Sequence, residues 1–164
     1  MKLNKFCIKN IINQSFSLIE ITVVIFIFLL IITVFFSRFL EFSADYANVS
    51  KDTISIKKTL ELAREKSLIK EEYTSWGVYF ENSSSAYYLF AGPSFASSVK
   101  VFVNYLSENN KFLSPPPNSH LEIIFMPSTG YATNATITIS SLNEKIKGDI
   151  IINSVGTINT NIYK

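Results

Sequence analysis

A single carboxylate inside an apolar run is the clearest chemical feature of this sequence. Glu20 is the only charged residue between Phe16 and Phe36. A carboxylate at the centre of a membrane-spanning helix costs about 2.5–3.5 kcal/mol on insertion scales, so such a residue usually has a partner or a function. Two interpretations stay open for the side chain itself. It reaches the membrane surface and stays hydrated there, or it pairs with an opposite charge.

The other reactive residue types are isolated. Cys7 is the only cysteine and His120 is the only histidine. A metal site needs several ligands at set spacing, and one cysteine and one histidine far apart in the sequence do not form such a set. No nucleophile motif surrounds a serine, and no glycine-rich phosphate-binding loop is present. We therefore expect a protein that is not an enzyme and that holds no metal and no cofactor.

Two lysines are candidates for a weak nucleic-acid contact. Lys145 and Lys147 belong to a predicted hairpin turn, where they could meet phosphates. Glu144 and Asp149 lie beside them, so we favour a solvated turn. The formal charge of +2 becomes −1 when the three lysines of residues 1–15 are removed. Net charge therefore does not favour a nucleic-acid partner, although a local patch stays possible.

Five aromatic residues lie close together in the second half of the chain, namely Tyr79, Phe80, Tyr87, Tyr88 and Phe90. They could form a platform for a ligand. Aromatic residues on adjacent strands more often form cross-strand pairs in a core, and we favour that interpretation. Trp76, which precedes them, is interpreted in the same way as a packing residue.

The apolar run is long enough to cross a membrane. It covers 21 residues from Phe16 to Phe36, and a bilayer core of about 30 Å needs about 20 helical residues. Lys2, Lys5 and Lys9 precede it without any acid. The positive-inside rule then places the N-terminus in the cytoplasm and the rest of the chain outside. The sequence predicts a single-pass protein of the cytoplasmic membrane.

Periodicity predicts an α+β fold. Apolar residues recur every three or four positions from Phe35 to Ala63, which indicates one helix from about Phe16 to about Glu72. From Thr74 the period changes to two, as in β-strands. About seven antiparallel strands are predicted, at residues 76–80, 86–91, 99–103, 121–125, 135–139, 149–152 and 157–162. We expect the helix stripe from Val49 to Leu68 to cover the sheet.

The N-terminal third resembles the type IV filament superfamily, which comprises pilins and the pseudopilins of type II secretion. The resemblance rests on the basic leader, Ser15, Phe16 and Glu20. It implies that a prepilin peptidase cuts between Ser15 and Phe16 and methylates the new amine of Phe16. It also implies that Glu20 pairs with the terminal amine of a neighbouring subunit, which sets the register of assembly. The usual glycine before the cut is replaced by Ser15.

The resemblance also implies a domain organisation. A leader occupies residues 1–15, a transmembrane and filament-core helix 16–36, its amphipathic continuation 37–72, and a β-rich head 73–164. The head is most similar to H-type minor pseudopilins and related minor pilins. The segments that carry this similarity are Trp76–Phe80, Tyr87–Phe90 and the glycine turn Val155–Thr157.

The function expected from the resemblance is structural. The chain would be a minor subunit of a type IV pilus or a type II secretion-like filament, with a prepilin peptidase, other subunits and membrane lipid as partners. Its head would lie outside the cytoplasmic membrane and later on the filament. Two alternatives stay open. One is a minor pilin whose head binds DNA or another ligand, and the other is a single-pass anchored protein that never polymerises.

Overall fold

The computed structural model describes residues 17–164, except for the side chain of Arg38. The chain divides into two units, residues 1–40 and Glu41–Lys164. One long helix, α1 (Leu18–Leu68), supplies the described part of the first unit and the beginning of the second. Neither glycine nor proline occurs within this helix, which is consistent with its length.

Eight strands follow the helix and form two antiparallel sheets. The strands are β1 (Trp76–Glu81), β2 (Ala86–Ala91), β3 (Lys100–Tyr105), β4 (Asn110–Ser114), β5 (His120–Phe125), β6 (Ala135–Ser141), β7 (Lys147–Ile152) and β8 (Ile158–Tyr163). The first sheet has the order β3-β2-β1-β5, and the second has the order β4-β6-β7-β8. The predicted α+β fold, an N-terminal helix packed on antiparallel strands, is confirmed.

One hydrophobic core joins the helix to both sheets within the second unit. Val49, Ile56, Leu60 and Ala63 of α1 are fully buried. They are seven, four and three residues apart in turn, a spacing of whole helical turns that places them on one face of the helix. They pack with buried side chains from both sheets, namely Trp76, Val78, Phe80, Tyr87, Leu89, Ile123, Phe125, Ile137, Ile139, Ile150 and Ile152. The predicted cover of the sheet by this stripe is confirmed, except that its last buried residue is Ser67 and not Leu68.

Two glycines permit close packing, Gly148 within this core and Gly77 on the other face of the first sheet. A side chain at Gly148 would collide with Thr53 and approach Val49, so the glycine allows the helix to lie directly on β7. A side chain at Gly77 would meet the ring of Phe90, its cross-strand neighbour in β2. In both places the missing Cβ leaves the space that the neighbouring residue occupies.

The structure corrects the predicted end of the helix and adds one strand to those predicted. The helix ends at Leu68, short of the predicted end near Glu72. Lys70 adopts left-handed backbone angles, and the buried Ser67 hydroxyl accepts the Trp76 N–H at 2.8 Å, so the end of the helix is tied to the start of β1. In addition, β4 was not predicted as a strand.

Candidate functional sites

The N-terminus of α1 contains Glu20, the first candidate residue. Glu20 lies in the first turn of the helix, and its Oε2 accepts the backbone N–H of Ser17 at 3.1 Å. This is the carboxylate half of a capping box, in which a glutamate in the first turn reaches back to the residue before the helix. The negative charge also lies at the positive end of the helix dipole, which favours it there. The pattern Ser17-x-x-Glu20 was present in the sequence, although the sequence analysis did not use it.

Ser15 and Phe16, the predicted cleavage and methylation residues, lie outside the described residues. Of the signature residues Ser15, Phe16 and Glu20, the structure therefore describes only Glu20. Its carboxylate organises the start of its own helix through Ser17. A carboxylate has about four acceptor positions, so this one bond does not exhaust its capacity to bind an amine.

The apolar residues that follow Glu20 are exposed. The large apolar side chains from Ile21 to Phe36 are all exposed, from 43% for Ile32 to 73% for Phe35. They surround the helix instead of forming one stripe. Such an all-round apolar surface is typical of a helix that lies in lipid or among other apolar helices. Residues 17–164 contain one helix long and apolar enough to cross a membrane.

The predicted lysine patch lies in the turn between β6 and β7. Lys145 is exposed and Lys147, the first residue of β7, is half-buried. Glu144 in the same turn forms an ion pair with Lys111 of β4 at 2.6 Å. The hydrogen bond and charge of Lys111 lower the pKa of the Glu144 carboxyl below its usual value. Lys145 and Lys147 therefore remain candidates for a phosphate contact, and that role stays a prediction.

The aromatic residues of β1 and β2 divide between the two faces of their sheet. Phe80 and Tyr87 are buried against the core, and they are cross-strand partners. Tyr79 and Tyr88, also cross-strand partners, lie on the opposite face. The interpretation as core residues is confirmed for Phe80 and Tyr87, whereas Phe90 is buried on the outer face, where Phe95 packs against it. Trp76 is buried as well, as expected for a packing residue.

A small turn covers the outer face of this sheet. The ring of Phe95 stacks on Tyr79 at 4.1 Å between centroids and packs against Tyr88 and Phe90. His120 stacks on the same tyrosine at 5.3 Å. Burial raises the pKa of the Tyr79 hydroxyl. These contacts use the aromatic faces within the protein, so the surface is a packed cluster and does not form an open platform.

A buried carboxylate that the sequence analysis did not single out connects the helix to the loop between β3 and β4. Asp52 is only 5% exposed. Its two oxygens accept the Ser107 N–H at 2.8 Å, the Ser107 hydroxyl at 2.9 Å and the Asn110 side-chain amide at 2.6 Å. Charged acceptors form strong hydrogen bonds, which offset the cost of removing the carboxylate from water. Asp52 is therefore a structural anchor. In residues 17–164, no group of three or more metal-binding side chains lies together.

Comparison with known proteins gives one kind of match. No protein-family model matches the sequence, and no curated protein matches it. Among solved structures, the fold is similar to that of the minor pseudopilin EpsH from the type 2 secretion system of Vibrio cholerae, with a TM-score of 0.54. The chain has a pseudopilin-like fold. The match covers 70% of this chain and 96% of that one at 13% sequence identity, so the similarity concerns the fold alone.

Proposed function

We propose that this protein is a membrane-anchored minor subunit of a type IV pilus or a type II secretion-like filament. The observation that carries the proposal is the exposed apolar surface of α1 directly after Glu20. A pseudopilin-like head follows this surface along the chain. An apolar helix of this length is stable in lipid, and equally in the core of a filament built from similar helices.

The proposed pathway begins with processing. A prepilin peptidase cuts between Ser15 and Phe16 and methylates the amine of Phe16, which keeps its positive charge. Residues 16–36 then hold the subunit in the cytoplasmic membrane, with the β-rich head outside. The three lysines in residues 1–15 support this orientation, since positive residues favour the cytoplasmic side.

Assembly would use the carboxylate of Glu20. In its own subunit this group stabilises the start of α1 through the Ser17 N–H. In a filament it also pairs with the methylated amine of a neighbour, so two charges near lipid become one paired site. Because the pairing geometry is narrow, it favours one axial register between neighbouring helices.

The direct test of processing is intact mass and N-terminal sequencing of the protein extracted from membranes that contain its own peptidase. We expect a mature N-terminus at Phe16 with one additional methyl group. Ser15→Gly restores the residue usual in the family and should be processed at least as well. An uncut N-terminus in both proteins would contradict the proposal and favour the anchored protein that never polymerises.

The test of assembly compares two glutamates of the same helix. Glu20→Ala should abolish incorporation into filaments, measured as the amount of this subunit in sheared and sedimented filaments. Glu65→Ala, an exposed site in the second unit, is the matched control and should incorporate normally. Equal incorporation of the two variants would show that the carboxylate of Glu20 does not set register.

A further inference from the structure

The edge strand β3 of the first sheet presents apolar side chains to solvent. Val101, Phe102 and Val103 are 42%, 46% and 47% exposed, and Tyr105 is 68% exposed. Edge strands usually carry charges, bulges or prolines, which prevent other chains from pairing with them. In β3 the only charge is Lys100 at its first residue, and its pairing with β2 has no bulge.

The edges of the second sheet differ from β3. The strand β4 has a register shift between Phe112 and Ser114 and is followed at once by Pro115. The strand β8 presents exposed polar residues from Asn159 to Asn161. The register shift and the proline blunt the edge of β4 against further pairing, and β8 offers polar instead of apolar side chains to a partner. The exposed apolar side chains of β3 therefore have no counterpart at the two edges of the second sheet.

The backbone groups of β3 that face outward can be identified from the hydrogen bonds on its other side. The Leu106 N–H donates to the Ser85 carbonyl at 2.9 Å, which closes the antiparallel ladder between β3 and β2. Because the direction alternates along a strand, the N–H and C=O groups of Val101, Val103 and Tyr105 face away from β2. No strand pairs with this edge in residues 17–164.

An apolar groove borders the same edge on the side of α1. Leu62 of the helix, 42% exposed, faces Phe102 and Leu89 across it. A second stretch of groove adjoins the first at Thr59 and Asn104 and extends to Tyr105. A strand added to β3 would place every second side chain over this groove.

Lysines of α1 line the groove. Lys51 and Lys58 border its second stretch, and Lys66, which forms an ion pair with Glu71, borders the first. Neither Lys51 nor Lys58 forms an ion pair within the part of the chain that the structure describes. The single acid on the walls, Asp52, is buried and accepts three hydrogen bonds from Ser107 and Asn110. The positive charge of the groove therefore comes from Lys51 and Lys58, opposed by one buried carboxylate, and its apolar surface comes from Leu62, Leu89 and Phe102.

We propose that β3 binds an extended segment of a different protein chain, which adds to the sheet as a further strand. The outward backbone groups supply the hydrogen bonds, and the groove selects alternating apolar side chains. The lysines select acidic residues in the segment. A second copy of this chain fits less well, because its own lysine-lined groove would bring like charges together. The proposal does not depend on the processing of residues 1–15, and so it extends beyond the proposed function.

The test uses the full chain in detergent micelles and two synthetic peptides. Both alternate valine and threonine over the length of β3. One carries glutamates at both ends and the other carries lysines. Fluorescence anisotropy should show saturable binding of the acidic peptide and at least about tenfold weaker binding of the basic one. Equal affinity of the two peptides, or no binding of the acidic one, would overturn the proposal.

Three variants locate the binding. Val103→Pro removes an outward N–H and an apolar side chain without removing a bond to β2, and should weaken binding about tenfold. Val99→Thr changes an equally apolar residue outside β3, 82% exposed, and should bind as the unaltered protein does. Lys58→Glu should weaken binding of the acidic peptide and strengthen that of the basic one, so the test remains decisive even if the proline variant misfolds.

Hydrogen exchange gives a second readout. The acidic peptide should slow exchange in residues 99–106 and leave the segment of β8 unchanged, since only β3 gains hydrogen bonds. Slower exchange in β8 instead would place the site elsewhere and contradict the proposal. Dimerisation of the chain without peptide, abolished by Val103→Pro, would also overturn it and would show that β3 pairs with a second copy.

Discussion

The two parts of α1, residues 18–40 and 41–68, contain similar apolar residues. In the first part these residues are exposed, and in the second part those on one face are buried. Leu29, in the first unit, is 53% exposed, whereas Leu60, in the second unit, is fully buried. In the second part apolar residues keep to one face and polar residues occupy the other, as in a helix that covers a sheet. In the first part apolar residues occupy every face, and the described chain does not cover them.

This difference shows that burial within the chain is not the only role for an apolar residue. The second part obtains its stability from the core of the head, through Val49, Ile56 and Ala63 among others. The first part has no such core, and its large apolar surface requires lipid or neighbouring helices. One continuous helix thus supplies both a folding element and a surface for another environment.

The largest expected effect comes from shortening a leucine in each part. Leu60→Ala should lower the free energy of unfolding of the head by about 2–5 kcal/mol, because a cavity remains in the core. Leu29→Ala should change it by less than about 0.5 kcal/mol. Denaturant unfolding in micelles, followed through the fluorescence of the single tryptophan Trp76, measures both. Similar losses for the two variants would mean that the helix is one cooperative unit with the head.

A lysine introduced into each part should have the larger effect in the first part, on membrane insertion. Ile27→Lys should oppose membrane insertion by about 2.5–3.5 kcal/mol, since the ammonium group must leave water. Ile54→Lys, at a position that is 47% exposed on the head, should insert normally. The fraction that resists alkaline extraction from membranes is the measurement. Normal insertion of the Ile27→Lys protein would contradict a lipid environment for this part.

Two aspartates of the same helix sharpen the comparison within the head. Asp52→Ala leaves the half-buried Ser107 N–H and the buried Asn110 amide without their acceptor, and a buried group without a partner costs about 1–3 kcal/mol. Asp45 accepts one exposed hydrogen bond, from Asn143 at 2.7 Å, so Asp45→Ala should cost less. The same unfolding experiment compares them. Equal costs would show that the bonds to Asp52 are no stronger than an exposed one.

The smallest effect is expected at the surface ion pair between Lys111 and Glu144. This pair lowers the pKa of the Glu144 carboxyl in the folded protein. It therefore stabilises the folded head at pH values above the ordinary glutamate pKa of 4.5. That contribution is lost as the pH falls through the lower, folded-state pKa. Lys111→Met should return the pKa toward its usual value, whereas Lys145→Met should leave it low. Titration of the glutamate carboxyl carbons by NMR distinguishes these outcomes, and an unchanged pKa in Lys111→Met would exclude the pair as the cause.

Elements with a strong local pattern could be predicted from the sequence. The hairpin of β1 and β2 was evident because an alternating segment precedes the polar turn Asn82–Ser85 and an apolar segment follows it. The strand β4 was missed because its sequence is mostly polar, with only Phe112 and Leu113 apolar. Its order comes from pairing with β6 and from the bond of Asn110 to Asp52, which is distant in sequence.

The candidate sites divide in the same way. Glu20 could be selected from the sequence, because one charge in an apolar run is unusual without any knowledge of the fold. The groove beside β3 could not be selected. A run of valines and aromatics predicts a strand, but it does not tell whether that strand lies at the edge or the centre of a sheet.

The apolar segment, its single acid, the helix that continues from it and most of the strands could be predicted from the sequence alone. These features depend on residues that are neighbours along the chain, so composition and period are sufficient to predict them. Four features became evident only from the tertiary structure. They are the set of buried apolar residues, the end of α1, the role of Asp52 as an anchor and the position of β3 at an unpaired edge of its sheet. Each of these depends on contacts between distant segments, which form only when the whole head has folded.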